Sequence, residues 1–238
     1  MTGFDAIARN VQIVHNGIEQ AARRAGRNPK TIRLIAATKF VPVELVRTAI
    51  EAGVMDVGES RLQEALPKIE SIGQDAVQWH FIGRLQRRKV KSVVGRFALI
   101  HSVDSLELAA EIERRAKEAG MQQAVLLEVN LGAEAGKTGF APAALSGALV
   151  ALNSMEHVAV KGLMAIPPRV EDPDTARPYF RALRELAVAA AHGARQRMVL
   201  DELSMGMSND YQVAIEEGAT MVRVGTAIFG DRPVEVTG

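Results

Sequence analysis

Short apolar runs alternate with longer amphipathic ones along nearly the whole chain. The runs are RLIAATK (33–39), MDVGES (55–60), QWHFIG (78–83), FALIHSVD (97–104), AVLLEVN (124–130), VKGLMAI (160–166), LDELSMG (200–206) and MVRVG (221–225), each of strand length. Helical patterns lie between them: PVELVRTAIEAG, RLQEALPKIESIG, a basic stretch from Arg84, SLELAAEIERRAKEAG, APAALSGALVALNSM, PDTARPYFRALRELAVAAAHGA and NDYQVAIEEGA. Several close on glycine, as at Gly53, Gly73, Gly120, Gly193 and Gly218, where a left-handed residue ends a helix at low cost. Ahead of the first run, Ile7, Val11, Val14, Ile18 and Ala21 recur at helical spacing with Gly26 as the stop, so 1–26 reads as a structural helix.

Strand then helix, eight times over, predicts an α/β fold: a single (β/α)8 TIM barrel over 1–238 with an extra N-terminal helix packed on it. An open doubly wound sheet shares the alternation but ordinarily carries a glycine-rich phosphate loop after its first strand. Here Lys39-Phe40-Val41-Pro42 follows instead, and neither G-x-G-x-x-G nor G-x-x-x-x-G-K-[ST] occurs.

Composition narrows the chemistry. The chain has 238 residues, 47% hydrophobic and 24% charged, as in an ordinary folded globular protein. With 29 basic and 28 acidic side chains the net charge is +1, so no global field draws nucleic acid or an anionic membrane. No cysteine is present, which removes disulfides, thiolate metal sites and a cysteine nucleophile and fits a reducing cytoplasm. Charges interrupt the N-terminus, and no segment approaches the ~20 apolar residues of a membrane span. The five histidines show no paired metal-ligand spacing, so no metal is expected.

Barrel sites are built where strands leave at their C-terminal face. The polar residues there are Lys39 after the first strand, Glu59 and Ser60 after the second, His101, Ser102 and Asp104 at the fourth, Asn130 at the fifth, Ser204 at the seventh and Arg223 with Thr226 at the eighth. LSMGMSND (203–210) and RVGTAIFG (223–230) put Ser204, Gly206, Gly225 and Thr226 in the two loops that often hold a phosphate in barrels. Tight turns and helix caps are the plainer reading of the same residues.

Arg223 alternates with Val222 and Val224, so it points into the barrel if the valines pack outward, either towards a ligand or towards an interior carboxylate such as Asp56 or Glu128. Lys39 ends an apolar run; desolvated beside a second cation it would be the better nucleophile towards an aldehyde, the alternative being a snorkelling surface lysine. An amine, a phosphate cup and a cation between them are the parts needed to hold pyridoxal 5′-phosphate.

The pieces AATKF, VGESRLQEA, WHFIGRLQRRK, HSVDS, LLEVNLGAEAGKTGF, KGLMAIPP, LSMGMSND and MVRVGTAIFG run in order from about residue 33 to the C-terminus. In them the chain resembles the pyridoxal phosphate homeostasis (YggS/PROSC) family, whose fold also resembles the barrel domain of alanine racemase. The resemblance implies that Lys39 forms a Schiff base with the cofactor, that Arg223 lies beside the ring nitrogen, and that Ser204, Gly225 and Thr226 contact the phosphate, with Gly206 in the same loop. Ser60 stands where the family usually carries Asn, at a polar contact near the ring, and Arg84 where it usually carries Pro. Lys137 is similar to a family lysine linked to cofactor exchange.

Arginine beside the ring nitrogen weakens the ring as an electron sink, and the second base of an alanine racemase is a tyrosine supplied through a further domain. The only tyrosines here, Tyr179 and Tyr211, fall in helical stretches. The expected function is therefore to carry and buffer pyridoxal 5′-phosphate without substantial catalysis, with apo-enzymes as recipients; the alternative is a weak amino-acid racemase. A monomer is expected, or else a weak dimer, with neither membrane nor nucleic acid as partner. Two further readings are a Schiff-base aldolase and a binding module using the run of Arg84, Arg87, Arg88, Lys89, Lys91 and Arg96, which is more often a solvated face.

Overall fold

The apolar runs fold as eight strands in a computed structural model that describes residues 3–132, 138–168, 170–193, 198 and 200–231. They are β1 (Arg33–Ala37), β2 (Asp56–Glu59), β3 (Gln78–Phe81), β4 (Leu99–Val103), β5 (Gln123–Glu128), β6 (Val158–Met164), β7 (Glu202–Ser204) and β8 (Met221–Val224). Each pairs with the next in parallel, and β8 pairs with β1 to close the barrel, Ala36 standing opposite Val224. The helices are α1 (Gly3–Arg24), α2 (Val43–Glu51), α3 (Leu62–Ile72), α4 (Leu106–Glu118), α5 (Leu145–Leu152), α6 (Arg177–Gly193), α7 (Tyr211–Glu216) and α8 (Thr226–Phe229). The architecture is a (β/α)8 barrel with an N-terminal helix.

The basic stretch after β3 departs from the expected helix: it forms only a 3-10 turn, Arg87–Ser92. Arg87 and Lys91 would stand four apart on an α-helix, and Arg88 and Lys91 three apart, and like charges at those spacings oppose an α-helix. After β8, α8 has only four residues. The N-terminal helix fills the space that a full eighth helix would cover, packing against α7, α8 and α2. Its stripe of Ile7, Val11, Val14, Ile18 and Ala21 is buried. Asn10 Nδ2 donates to the Ile228 carbonyl at 2.9 Å, and the Arg27 guanidinium donates to the carbonyls of Ile215 and Ala219.

Alternation along the strands divides the apolar side chains between two cores. Ile35, Leu99, Leu126, Met164 and Met221 pack together inside the barrel. Their strand neighbours Ala36, Ile100, Leu127, Leu163 and Val222 face the helices. Two residues beyond Leu99, Leu126 and Met221 come His101, Glu128 and Arg223, so the interior turns polar towards the C-terminal ends of the strands. Among the described residues no helix is long and apolar enough to cross a membrane.

Candidate functional site

Ile35 faces the barrel interior, and the same alternation carries Ala37 and Lys39 to that side as β1 leaves the barrel. Lys39 itself is exposed, which corrects the expectation of a desolvated amine: the strand ends at Ala37 and the lysine stands at the mouth in solvent. Its neighbours are held from α3 and β2. Lys68 Nζ donates to the Thr38 carbonyl at 2.6 Å and to Glu59 Oε1 at 2.7 Å. Thr38 Oγ1 donates to the same carboxylate oxygen at 2.6 Å, and the Phe40 N–H donates to Glu64 Oε2 at 2.6 Å. Phe40 takes φ +61°, alone among the described non-glycine residues in having a positive φ, and Arg61 lies 4.6 Å over its ring. Burial pushes the Glu59 carboxyl above its usual range, with Lys68 and Thr38 pulling it back.

Val222 and Val224 pack outward, and Arg223 points inward and is buried. Neither Asp56 nor Glu128 is its hydrogen-bond partner: Arg223 Nη1 donates to Ser204 Oγ at 2.6 Å and Nη2 to the Ala165 carbonyl at 3.0 Å. Burial pushes the guanidinium down to about 10, while Asp210 and Glu128 pull it up. Ser204 also bonds His101 Nδ1 at 2.8 Å, so its hydroxyl is committed inside the barrel. Glu128 accepts from Thr138 Oγ1 at 3.0 Å, and burial raises its carboxyl.

The loops after β7 and β8 meet over Arg223, whose N–H donates to the Gly206 carbonyl at 3.0 Å. Gly206 sits at φ +89°, and a Cβ there would come within 2.5 Å of the Ala214 Cβ, so only glycine lets this loop lie against α7. The N–H groups of Gly225 and Ala227, at the start of α8, converge on Ser208 Oγ at 3.1 and 3.2 Å. Thr226 is exposed beside them. Lys39 and Thr226 leave adjoining strands, since β1 and β8 are paired. Ser60 is half-buried at the exit of β2, where a Cβ on Gly83 would overlap its backbone. Lys137 lies outside the described residues.

Thus Ser204, Gly206 and Arg223 are in direct contact, Gly225 and Thr226 adjoin them, and Lys39 and Ser60 stand on the next two strands round the mouth. Sequence reasoning passed over Ser208, although it lies two residues beyond Gly206 in the same motif. His80 and His101 are both buried in the barrel interior, hydrogen-bonded to each other at 2.9 Å. Tyr211 packs away from the mouth, its hydroxyl over Gly17 of α1 where a Cβ would overlap it. Among the described residues no group of three or more His, Cys, Asp or Glu could hold a metal ion.

The model of the alanine racemase N-terminal domain family matches residues 4–233. The pyridoxal phosphate homeostasis protein of Aquifex aeolicus is 46% identical over 215 residues, covering 90% of this chain and 93% of that protein. The protein of the same name from Escherichia coli K12 is 37% identical over 229 residues, 95% of this chain and 97% of its own. PipY of Synechococcus elongatus PCC7942, solved with PLP bound, superposes with a TM-score of 0.79 at 36% identity, over 90% of this chain and 100% of that one. The alanine racemase of Corynebacterium glutamicum shares the fold, with a TM-score of 0.72 at 18% identity, over 99% of this chain and 63% of that one.

Proposed function

Because this chain belongs to the family of pyridoxal phosphate homeostasis proteins, on the barrel of the alanine racemase N-terminal domain, we propose that it binds pyridoxal 5′-phosphate at the strand exits, carrying and buffering it without substantial catalysis. The observation that carries this reading is the convergence of three features at one mouth: the inward guanidinium of Arg223, the Lys39 amine on the adjoining strand, and two amides already gathered on one oxygen. That oxygen, Ser208 Oγ, occupies a place suited to an acceptor, which is the test that a phosphate has to meet. Gly225, Thr226 and Ser208 would hold the phosphate, with Gly206 shaping the loop; Ser204 would act through Arg223.

When bound, the group supplies a ring that withdraws electrons from its aldehyde carbon. Arg223 carries a positive charge and has no acceptor, so beside the ring nitrogen it disfavours a proton there and weakens that withdrawal. Lys39 would be the point of Schiff-base attachment. Its exposure supports a carrier, because a bond at the mouth stays open to water and to incoming amines. Tyr211, turned against α1, supplies no second base at this mouth. Apo-enzymes as recipients and a cytoplasmic setting belong to the same proposal.

The test is a visible spectrum of the purified protein with pyridoxal 5′-phosphate, followed by borohydride reduction and peptide mapping. The reduced label should fall on Lys39, and Lys39→Ala should stay unlabelled while unfolding at the wild-type temperature. A label on another lysine, or turnover of an amino acid at enzyme-like rates that vanishes in Lys39→Ala, would overturn the reading.

A further inference from the structure

Five polar side chains from five strands form one hydrogen-bonded file through the barrel. Asp56 Oδ1 lies 2.9 Å from His80 Nε2, and His80 Nδ1 lies 2.9 Å from His101 Nε2. His101 Nδ1 lies 2.8 Å from Ser204 Oγ, which accepts from Arg223 Nη1 at 2.6 Å. No member is more than 8% exposed. β4 and β7 are not neighbours in the sheet, so His101 and Ser204 meet only across the interior.

The chemistry of the two ends fixes the protons between them. A guanidinium has donors only, so Ser204 Oγ accepts from Arg223. The Asp56 carboxylate accepts, so His80 carries a proton on Nε2. With both rings neutral, His80 Nδ1 accepts from His101 Nε2–H, and His101 Nδ1 accepts the Ser204 hydroxyl proton. Each of the four hydrogen bonds then points towards Asp56, and neither histidine nor the serine has a donor left over. A proton added to His80 would turn the file round: His101 Nδ1–H would face an oxygen already accepting from Arg223, and the serine proton would lose its acceptor. Burial first, and then the charges of its cationic neighbours, hold His101 well below the usual histidine range, which agrees with a neutral His101.

We propose that the file is a positioning device for Arg223. Asp56, acting through His80 and His101, sets the Ser204 hydroxyl so that a lone pair faces Nη1; the Ala165 carbonyl fixes Nη2 at 3.0 Å, and the guanidinium is held in one plane. Asp56, His80 and His101 touch no ligand in this scheme. They are positioning residues, and the consequence for pyridoxal 5′-phosphate rests on the cofactor reading above: the file sets how firmly Arg223 meets the ring.

The experiment reads the ligand-free protein first. Histidine ring 1H–15N spectra at about pH 8 should show His80 and His101 as neutral Nε2–H tautomers, and Arg223 should give separate, slowly exchanging Nη signals. His80→Phe lies three links from Arg223. It should merge those Nη signals, weaken pyridoxal 5′-phosphate binding by about ten-fold, the worth of one charge-assisted hydrogen bond, and shift the visible band of the bound form. Ser204→Thr keeps the hydroxyl and should preserve all three readings, whereas Ser204→Ala should lose them.

A His101 Nδ1–H tautomer in the wild type overturns the proposal, as does a folded His80→Phe with unchanged Arg223 signals. Should His80→Phe fail to fold, the Ser204→Ala and Ser204→Thr pair decides by the same readings. If the wild type takes up no pyridoxal 5′-phosphate, the cofactor reading fails, and the Arg223 spectra still decide the file.

Discussion

The turn that carries Lys39 is held by a buried ion pair beneath it. Glu59 is fully buried, and its Oε1 receives both Lys68 Nζ and Thr38 Oγ1, while Oε2 has no hydrogen-bond partner. A carboxylate in that position depends on its cation, because taking the partner away leaves a desolvated charge. Lys68→Met should therefore lower the unfolding free energy in urea by roughly 3 to 5 kcal/mol. The double variant Glu59→Gln with Lys68→Met should lose clearly less than the two single losses added together. Strict additivity would mean that the two side chains do not interact. Because Lys68 also holds the Thr38 carbonyl, and Glu64 the Phe40 N–H, the same pair helps to keep Phe40 in a left-handed conformation that costs about 1 to 3 kcal/mol. None of this is legible in the sequence. Glu59 and Lys68 are nine residues apart across a strand and a helix, a spacing with no periodic signature.

Among the elements, the N-terminal helix does work that no repeat of the strand–helix pattern would assign to it. Its buried stripe covers the seam beside β8 and β1 that the four residues of α8 leave open. Ile18→Ala removes a side chain that is 4% exposed and should cost about 3 kcal/mol in urea unfolding, whereas Ile13→Ala, at a position 57% exposed, should change stability by less than about 0.5 kcal/mol. Equal effects would mean that α1 does not dock as a face. The stripe itself was readable from spacing alone, since Ile7, Val11, Val14, Ile18 and Ala21 all recur at the period of a helix. The shape of the connector after β3 was not, because apolar spacing gave no warning that clustered Arg and Lys would restrict it to a 3-10 turn. Alternation likewise gave the inward direction of Arg223, but its partners depend on barrel register, which the chain specifies only through the packing of all eight strands.

At the scale of the whole molecule, closure of the barrel buries His101 near His80, Arg223 and Arg33, and this makes stability depend on pH. In the unfolded chain a histidine protonates near its ordinary value of about 6.5. In the folded protein His101 stays neutral to a pH well below that. Between the two values the unfolded state binds the extra proton, so stability present above about pH 6.5 is lost as the pH falls towards the folded value, by at most about 1.4 kcal/mol per pH unit. His15, lowered by partial burial, acts with the same sign. Glu59, Glu128 and Asp210 are all raised by desolvation and act oppositely: their contribution is present at low pH and is lost as the pH rises through their folded values. The raw slope therefore mixes both signs, and a difference isolates the histidine. The unfolding free energy of the wild type minus that of His101→Phe, measured in urea at a series of pH values, should be flat above about pH 6.5 and should decrease below it at up to about 1.4 kcal/mol per unit. A difference that stays level through that range would mean that the ring takes up its proton as readily inside the barrel as in water, and the interior would then have to be wet.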